Sequence, residues 1–189
     1  MPLTVEEFFA EYKESANELW DKTPISVMVL GPNTDGNKLG SQLRKYIIDK
    51  CRKNGMVVRT EHKDFIDIHR KILGPNRNLC FMELKAAQHV DAIIMIPDSP
   101  GSFVELGMFS PFEDIRKRTI IVFKDKYSSP DAQKSFVFFG PKLAYSESGA
   151  PIEYINYRNK KLIWQKVNSF LHEKRANKYE NNIIRKLIP

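Results

Sequence analysis

Glu105 closes the phrase Ser99-Pro100-Gly101-Ser102-Phe103-Val104-Glu105, which follows the apolar run Ala92 to Pro97. The run reads as a short buried strand of a parallel sheet. It breaks at a turn composition, Asp98-Ser99-Pro100-Gly101, after which Ser102 is placed to cap a new helix. Ligands of open α/β sheets bind in the crevice at the carboxyl ends of such strands. A carboxylate in the first turn of a helix that aims its amides into that crevice suits a glycosyl-attacking nucleophile. Cleaving an N-glycosidic bond gives the sugar oxocarbenium character, which a carboxylate beneath the anomeric carbon stabilises or bonds. The amides of Gly101 and Ser102, with the Ser102 hydroxyl, form a candidate anion site for a phosphate. Gly31, Pro32 and Asn33, at the end of an earlier strand, would complete that cradle or contact the sugar. A structural account competes for the same residues. Ser102-x-x-Glu105 also matches a capping box, and Gly31 and Gly101 would then only permit tight turns.

The elements that must position these groups are legible in the hydrophobic pattern. Thr4 to Glu7 caps a first helix with Phe8, Phe9, Tyr12, Ala16, Leu19 and Trp20 on one face. Ile25 to Leu30 is a strand, followed by the Gly31-Pro32-Asn33 loop. A helix carrying Leu39, Leu43, Tyr46, Ile47 and Cys51 then ends near Asn54-Gly55. Met56 to Thr60 is a second strand. Helices are expected over 65–73 and 78–89, then the strand at 91–97 and a helix after Gly101 running to about Arg118 unless Pro111 ends it. Thr119 to Phe123 and Ile152 to Ile155 are further strands. Residues 124–140 read as loop with a strand-like stretch at 135–139, where Tyr127, Phe138 and Phe139 are placed to cover a base. Arg158 to His172 closes the fold. This order predicts a single Rossmann-like α/β domain over 1–172, with a mainly parallel sheet of about five strands flanked by helices. Residues 173–189 would be a basic tail that either continues the closing helix or forms an arm.

The chain has 189 residues, 42% of them hydrophobic, and a net charge of +7. Nine Lys and Arg against two acids lie between Arg158 and Pro189, which accounts for the whole net charge. A localised basic end is either a contact surface for a polyanion or a solvated helix face. No apolar run reaches the length of about 20 residues that spans a bilayer, and the N-terminus resembles no targeting peptide. Cys51 and Cys80 have no metal spacing and read as buried hydrophobes of a reducing cytoplasm. The four histidines show no ligand pattern, so neither a metal nor a cofactor is expected.

Gly101-Ser102-Phe103-Val104-Glu105-Leu106-Gly107 resembles the active-site helix start of the nucleoside deoxyribosyltransferase-like superfamily, Gly-small-x-x-Glu-(Leu/Ile)-Gly, whose glutamate is the nucleophile. Asp91 matches the aspartate that opens the preceding strand in that superfamily. Glu83 stands eight residues earlier, where the superfamily carries a catalytic carboxylate, usually Asp. Its other aspartate has only Asp98 as an equivalent, and the tyrosine of its first loop has none. Ser99 to Phe109 further resembles a phrase of the short effector proteins of retron antiphage systems, Ser-Pro-Gly-Ser-Phe-x-Glu-Leu-Gly-x-Phe. Ser135 to Pro141 is similar to their later Ser-Phe-x-x-x-Gly-Pro.

The resemblance implies an N-glycoside hydrolase or deoxyribosyltransferase-like transferase acting on a nucleotide or NAD-like substrate. Glu105 would be the nucleophile, with Glu83 or Asp98 protonating the departing base. It further implies a cytoplasmic, homo-oligomeric defence effector, restrained by a reverse transcriptase and its DNA–RNA product, for which the basic C-terminal end is the candidate contact. Three other readings compete. Pro100-Gly101-Ser102-x-x-Glu105 is similar to the phosphate-binding phrase of cytokinin-activating phosphoribohydrolases, less two glycines. TIR-type NAD cleavage is close in chemistry. A non-catalytic nucleotide-sensing or partner-recruiting module would use the same pocket without turnover.

Overall fold

A computed structural model describes residues 23–59, 71 and 79–187. The expected helices over 4–20 and 65–73 lie outside the described residues, apart from Lys71. Five parallel strands, β1 (Ser26–Leu30), β2 (Val57–Arg59), β3 (Ala92–Met95), β4 (Thr119–Phe123) and β5 (Ile152–Tyr154), form one sheet in the order β2-β1-β3-β4-β5. β3 is central, paired from Val27↔Ala92 to Leu30↔Met95 on one side and from Ile93↔Thr119 to Met95↔Ile121 on the other. Its four residues are all buried, as an apolar run without alternation requires. The expected α/β fold is the one formed.

Alternate strand residues feed two cores, one on each face. Val27, Val29, Ala92, Ile94, Ile120 and Val122 face α1 (Leu39–Lys53) and the long C-terminal helix. Met28, Leu30, Ile93, Met95, Ile121 and Phe123 face α2 (Leu79–Gln88), α3 (Pro100–Phe109), α4 (Glu113–Arg116) and the segments after β4. α1 ends as its sequence dictates. Lys50, Arg52 and Lys53 occupy its last turn, where cations oppose the helix dipole, and Gly55 takes a left-handed φ of 70°.

Three local expectations are corrected. α3 begins at Pro100, because Ser99 rather than Ser102 is its N-cap and proline suits the first helical position. It stops at Phe109, and α4 restarts after Pro111. Residues 124–140 are not a loop with a strand. They form a 3₁₀ turn (Asp125–Ser128), α5 (Pro130–Gln133) and a π-helical turn (Phe138–Lys142) that runs into α6 (Leu143–Glu147). A strand would put Phe136 and Phe138 on one side, but helical winding buries Phe138 and leaves Phe136 and Phe139 exposed. The basic tail takes the helical one of its two expected forms as far as Leu187, continuing the closing helix as α7 (Lys160–Leu187). Cys51 is buried as expected, whereas Cys80 is exposed.

Candidate functional site at the carboxyl edge of the sheet

Parallel strands bring their carboxyl ends to one edge, and the segments that leave β1, β3 and β4 meet there. Gly31 leaves β1 with φ 152°, and a Cβ on it would stand 3.1 Å from both Cβ and the carbonyl oxygen of Ile96. Only glycine lets the two strand ends approach so closely. Arg44, on α1 and 4% exposed, locks this loop. Its guanidinium donates to the carbonyls of Val29 (2.9 and 3.1 Å), Gly31 (2.8 Å) and Pro32 (3.2 Å). Asn33 is exposed and accepts the Asp35 N–H (3.2 Å) in a local turn.

Asp98, just past β3, is held from three directions. Lys124, the first residue after β4, donates to both carboxylate oxygens at 2.7 and 2.8 Å. The Asp98 N–H donates to the Ser102 hydroxyl (3.1 Å). A Cβ on Gly40, in the first turn of α1, would collide with the Asp98 carboxylate. The Lys124 ammonium also lies 5.3 Å from the centre of the Tyr157 ring. Asp98 is thus a tether between β3, β4 and α1, with both its oxygens engaged.

The head of α3 is closed by its own serines. Ser99 accepts the Ser102 N–H (3.3 Å), and the Ser102 hydroxyl accepts the Ser99 N–H (3.0 Å) while donating to the Ser99 carbonyl (2.9 Å). The capping box is therefore Ser99 with Ser102, not Ser102 with Glu105. Glu105 lies in the second turn, beyond the reach of a cap, and is only 8% exposed. Gly101 faces open space, where a Cβ would have no neighbour within 4 Å. Glu83 is also buried, 7% exposed, on α2, which packs against α3; it is not a solvated helix residue. Both glutamates sit on the same side of the sheet.

Asp91, the strand-leading aspartate, lies at the opposite, amino-terminal edge. It accepts from the Ser26 N–H (2.7 Å), the Ser26 hydroxyl (2.9 Å) and the Lys178 ammonium (2.8 Å). Burial raises its pKa, but these hydrogen bonds and the Lys178 charge more than offset that and hold it below the ordinary carboxylate value. Of the residues placed to cover a base, Tyr127 and Phe138 pack into an aromatic group with Phe103 and Phe123 at centroid distances of 5.1 to 6.0 Å. Phe139 is exposed.

Arg44, Gly40 and Lys124 escaped the sequence reading. Arg44 had a signal, a lone cation on the stripe Gly40, Arg44, Ile48 of an otherwise buried helix face. Lys124 had only its position, one residue beyond a strand end.

Residues 40–188 match the family model of the STM3845 retron effector protein. The "Retron Ec86 putative ribosyltransferase/DNA-binding protein" of Escherichia coli is 42% identical over 64 residues, 34% of this chain and 20% of that relative. The "Retron Ec73 putative ribosyltransferase/DNA-binding protein" of Escherichia coli is 33% identical over 82 residues, 43% of this chain and 25% of that relative. The matched segments thus span a quarter or less of those relatives' lengths. With most of the chain under the family model, this protein belongs to the STM3845 retron effector family.

Proposed function

We propose that this retron effector cleaves the base–sugar bond of a nucleotide or NAD-like substrate, with Glu105 as nucleophile. The observation that carries the proposal is the capping geometry. Ser99 and Ser102 cap α3 between them, so the buried Glu105 has no capping role to explain its presence. In the proposed step a Glu105 carboxylate oxygen bonds the anomeric carbon, and the base departs with the electron pair of the glycosidic bond. Glu83 supplies the proton that the base takes up, because both oxygens of Asp98 accept from Lys124. Water then attacks the anomeric carbon, breaking its bond to Glu105 and passing a proton back to Glu83, and the sugar is released; a second base in its place would make the enzyme a transferase. The word ribosyltransferase in the names of both relatives supports glycosyl chemistry on this scaffold. A resemblance to nucleoside deoxyribosyltransferases supports the same choice of nucleophile. We place the sugar and any phosphate between the Gly31-Pro32-Asn33 loop and Gly101, with the Ser102 hydroxyl reserved for the turn.

Glu105→Gln tests this. The variant is expected to fold, to bind nucleotide and to lose base release by roughly three orders of magnitude or more, as removal of a nucleophile does. Purified protein would be incubated with nucleotides and NAD, and the released base followed by mass spectrometry. Base release at the parental rate by folded Glu105→Gln would refute the assignment. Nucleotide binding without turnover by the parent would favour a sensing module instead.

A further inference from the structure

The loop that leaves β1 turns its hydrogen-bond acceptors into the protein. The Arg44 guanidinium takes the carbonyls of Gly31 (2.8 Å) and Pro32 (3.2 Å) with one terminal nitrogen. Its other terminal nitrogen and its Nε take the carbonyl of Val29 (2.9 and 3.1 Å). Asn33 uses its own acceptors locally, its carbonyl on the Gly36 N–H (3.3 Å) and its Oδ1 on the Asp35 N–H (3.2 Å). With Oδ1 so engaged, the amide nitrogen is what this exposed side chain offers outward, as a donor. Across the gap, Gly101 lies in the first turn of α3, where a helical N–H has no intrahelical acceptor. Asp35 and Lys38 cancel in charge, so the polarity of the loop rests on its hydrogen-bonding groups.

An arginine is needed to hold this arrangement. Its planar fork reaches the carbonyls of three residues together from one buried side chain, 4% exposed. A lysine ammonium is a single point and cannot serve separated carbonyls in the same way. The fit is close on the other side as well, since a Cβ on Gly31 would stand 3.5 Å from Cδ of Arg44.

We propose that Arg44 is a positioning residue that draws the loop's carbonyls inward, leaves donors facing the ligand, and so makes the site select a nucleoside phosphate over the matching nucleoside. Ionised phosphate oxygens only accept hydrogen bonds, whereas a free sugar hydroxyl also needs an acceptor for its own hydrogen. The inference rests on the proposed function for the placement of the ligand, and not for the chemistry performed on it.

The test is equilibrium dialysis with adenosine, guanosine, cytidine and uridine, each beside its 5′-monophosphate. Glu105→Gln protein serves as the reference, so that turnover does not consume the probe. At least one monophosphate is expected to bind about ten-fold or more tightly than its nucleoside, the scale of one charge-assisted hydrogen bond. Adding Arg44→Met should reduce that ratio to about two-fold or less, and Arg44→Lys should not restore it, because charge without the fork leaves the carbonyls unplaced. A loss of stability alone would weaken both ligands and leave the ratio where it was. Asn33→Asp keeps the acceptor for the Asp35 N–H but replaces the outward donor with an acceptor, and should abolish the preference even if the Arg44 variants do not fold. Asn37→Asp places the same charge elsewhere in the loop and should keep the ratio within about two-fold of the reference. Equal affinity for every monophosphate and its nucleoside, or no binding of any probe, would overturn the proposal. A preference that survives Asn33→Asp, or that Asn37→Asp removes equally, would overturn it too. Failure of the parent to release base would refute the glycosidic reading alone, since dialysis reads binding without turnover.

Discussion

Ser102 contributes to the candidate site as a brace for the turn. Its hydroxyl accepts two backbone N–H groups, from Asp98 and Ser99, and donates to a carbonyl, all within the turn that carries β3 into α3. Ser102→Ala removes one side of the capping box and leaves two turn amides without their acceptor. The expected cost is about 1–2 kcal/mol, that of a lost cap with its hydrogen bonds. Thermal denaturation of Ser102→Ala against the parent measures it, and an unchanged melting temperature would contradict the capping geometry. Glu105 stands one turn further on, so the two positions separate: a stability loss at 102, an activity loss at 105.

Between elements, the decisive contact joins the ends of β3 and β4 to the start of α1. Asp98 fits against Gly40 because no side chain occupies that position, and Lys124 then closes on both carboxylate oxygens. Gly40→Val fills the space that the carboxylate occupies and drives it off Lys124. Lys124→Met breaks the same link from the other side. Each substitution should lower turnover about ten-fold or more through misplacement of α3, since small displacements of reacting groups are costly in rate. The double variant should lose little more than either single one, because both act on one contact. Full additivity in steady-state rates would show that Gly40 and Lys124 act separately.

Over the whole molecule, α7 is tied back to the sheet at its amino-terminal edge. Lys178 reaches Asp91 and the Pro24 carbonyl, and Asp91 in turn holds Ser26 at the start of β1. Removing residues 173–189 therefore deletes a structural strut together with basic charge. Lys178→Met should cost about 1 kcal/mol at neutral pH, the scale of a partly exposed ion pair. The folded-state pKa of Asp91 is depressed, so its contribution is present above the ordinary value of 3.8 and is lost as pH falls through the folded value. The gap in melting temperature between parent and Lys178→Met should accordingly be widest near neutrality and close below pH 3.8. A gap that persists unchanged at acid pH would remove the ion pair as its cause. Among the described residues no helix is long and apolar enough to cross a membrane.

Much of this architecture was legible in the residues themselves. The five strands, the central place of β3, the helices flanking it and the phrase around Glu105 are local patterns, each specified by apolar periodicity or turn chemistry within a few positions. Three things depended on tertiary structure. The start of α3 moved from Ser102 to Ser99 because two serines competed for one cap, and the geometry of the turn chose between them. The stretch 135–139 is a short apolar run that fits a strand or a helix by pattern alone, and it wound into a helical turn that buries Phe138 and leaves Phe136 and Phe139 exposed. Arg44, Lys124 and Lys178 drew their meaning from partners remote in sequence: a loop after β1, an aspartate after β3 and another before it. Long-range ion pairs and a glycine shaped to a neighbour's carboxylate leave no local trace. They exist only once parallel strands have gathered their carboxyl ends at one edge and their amino ends at the other.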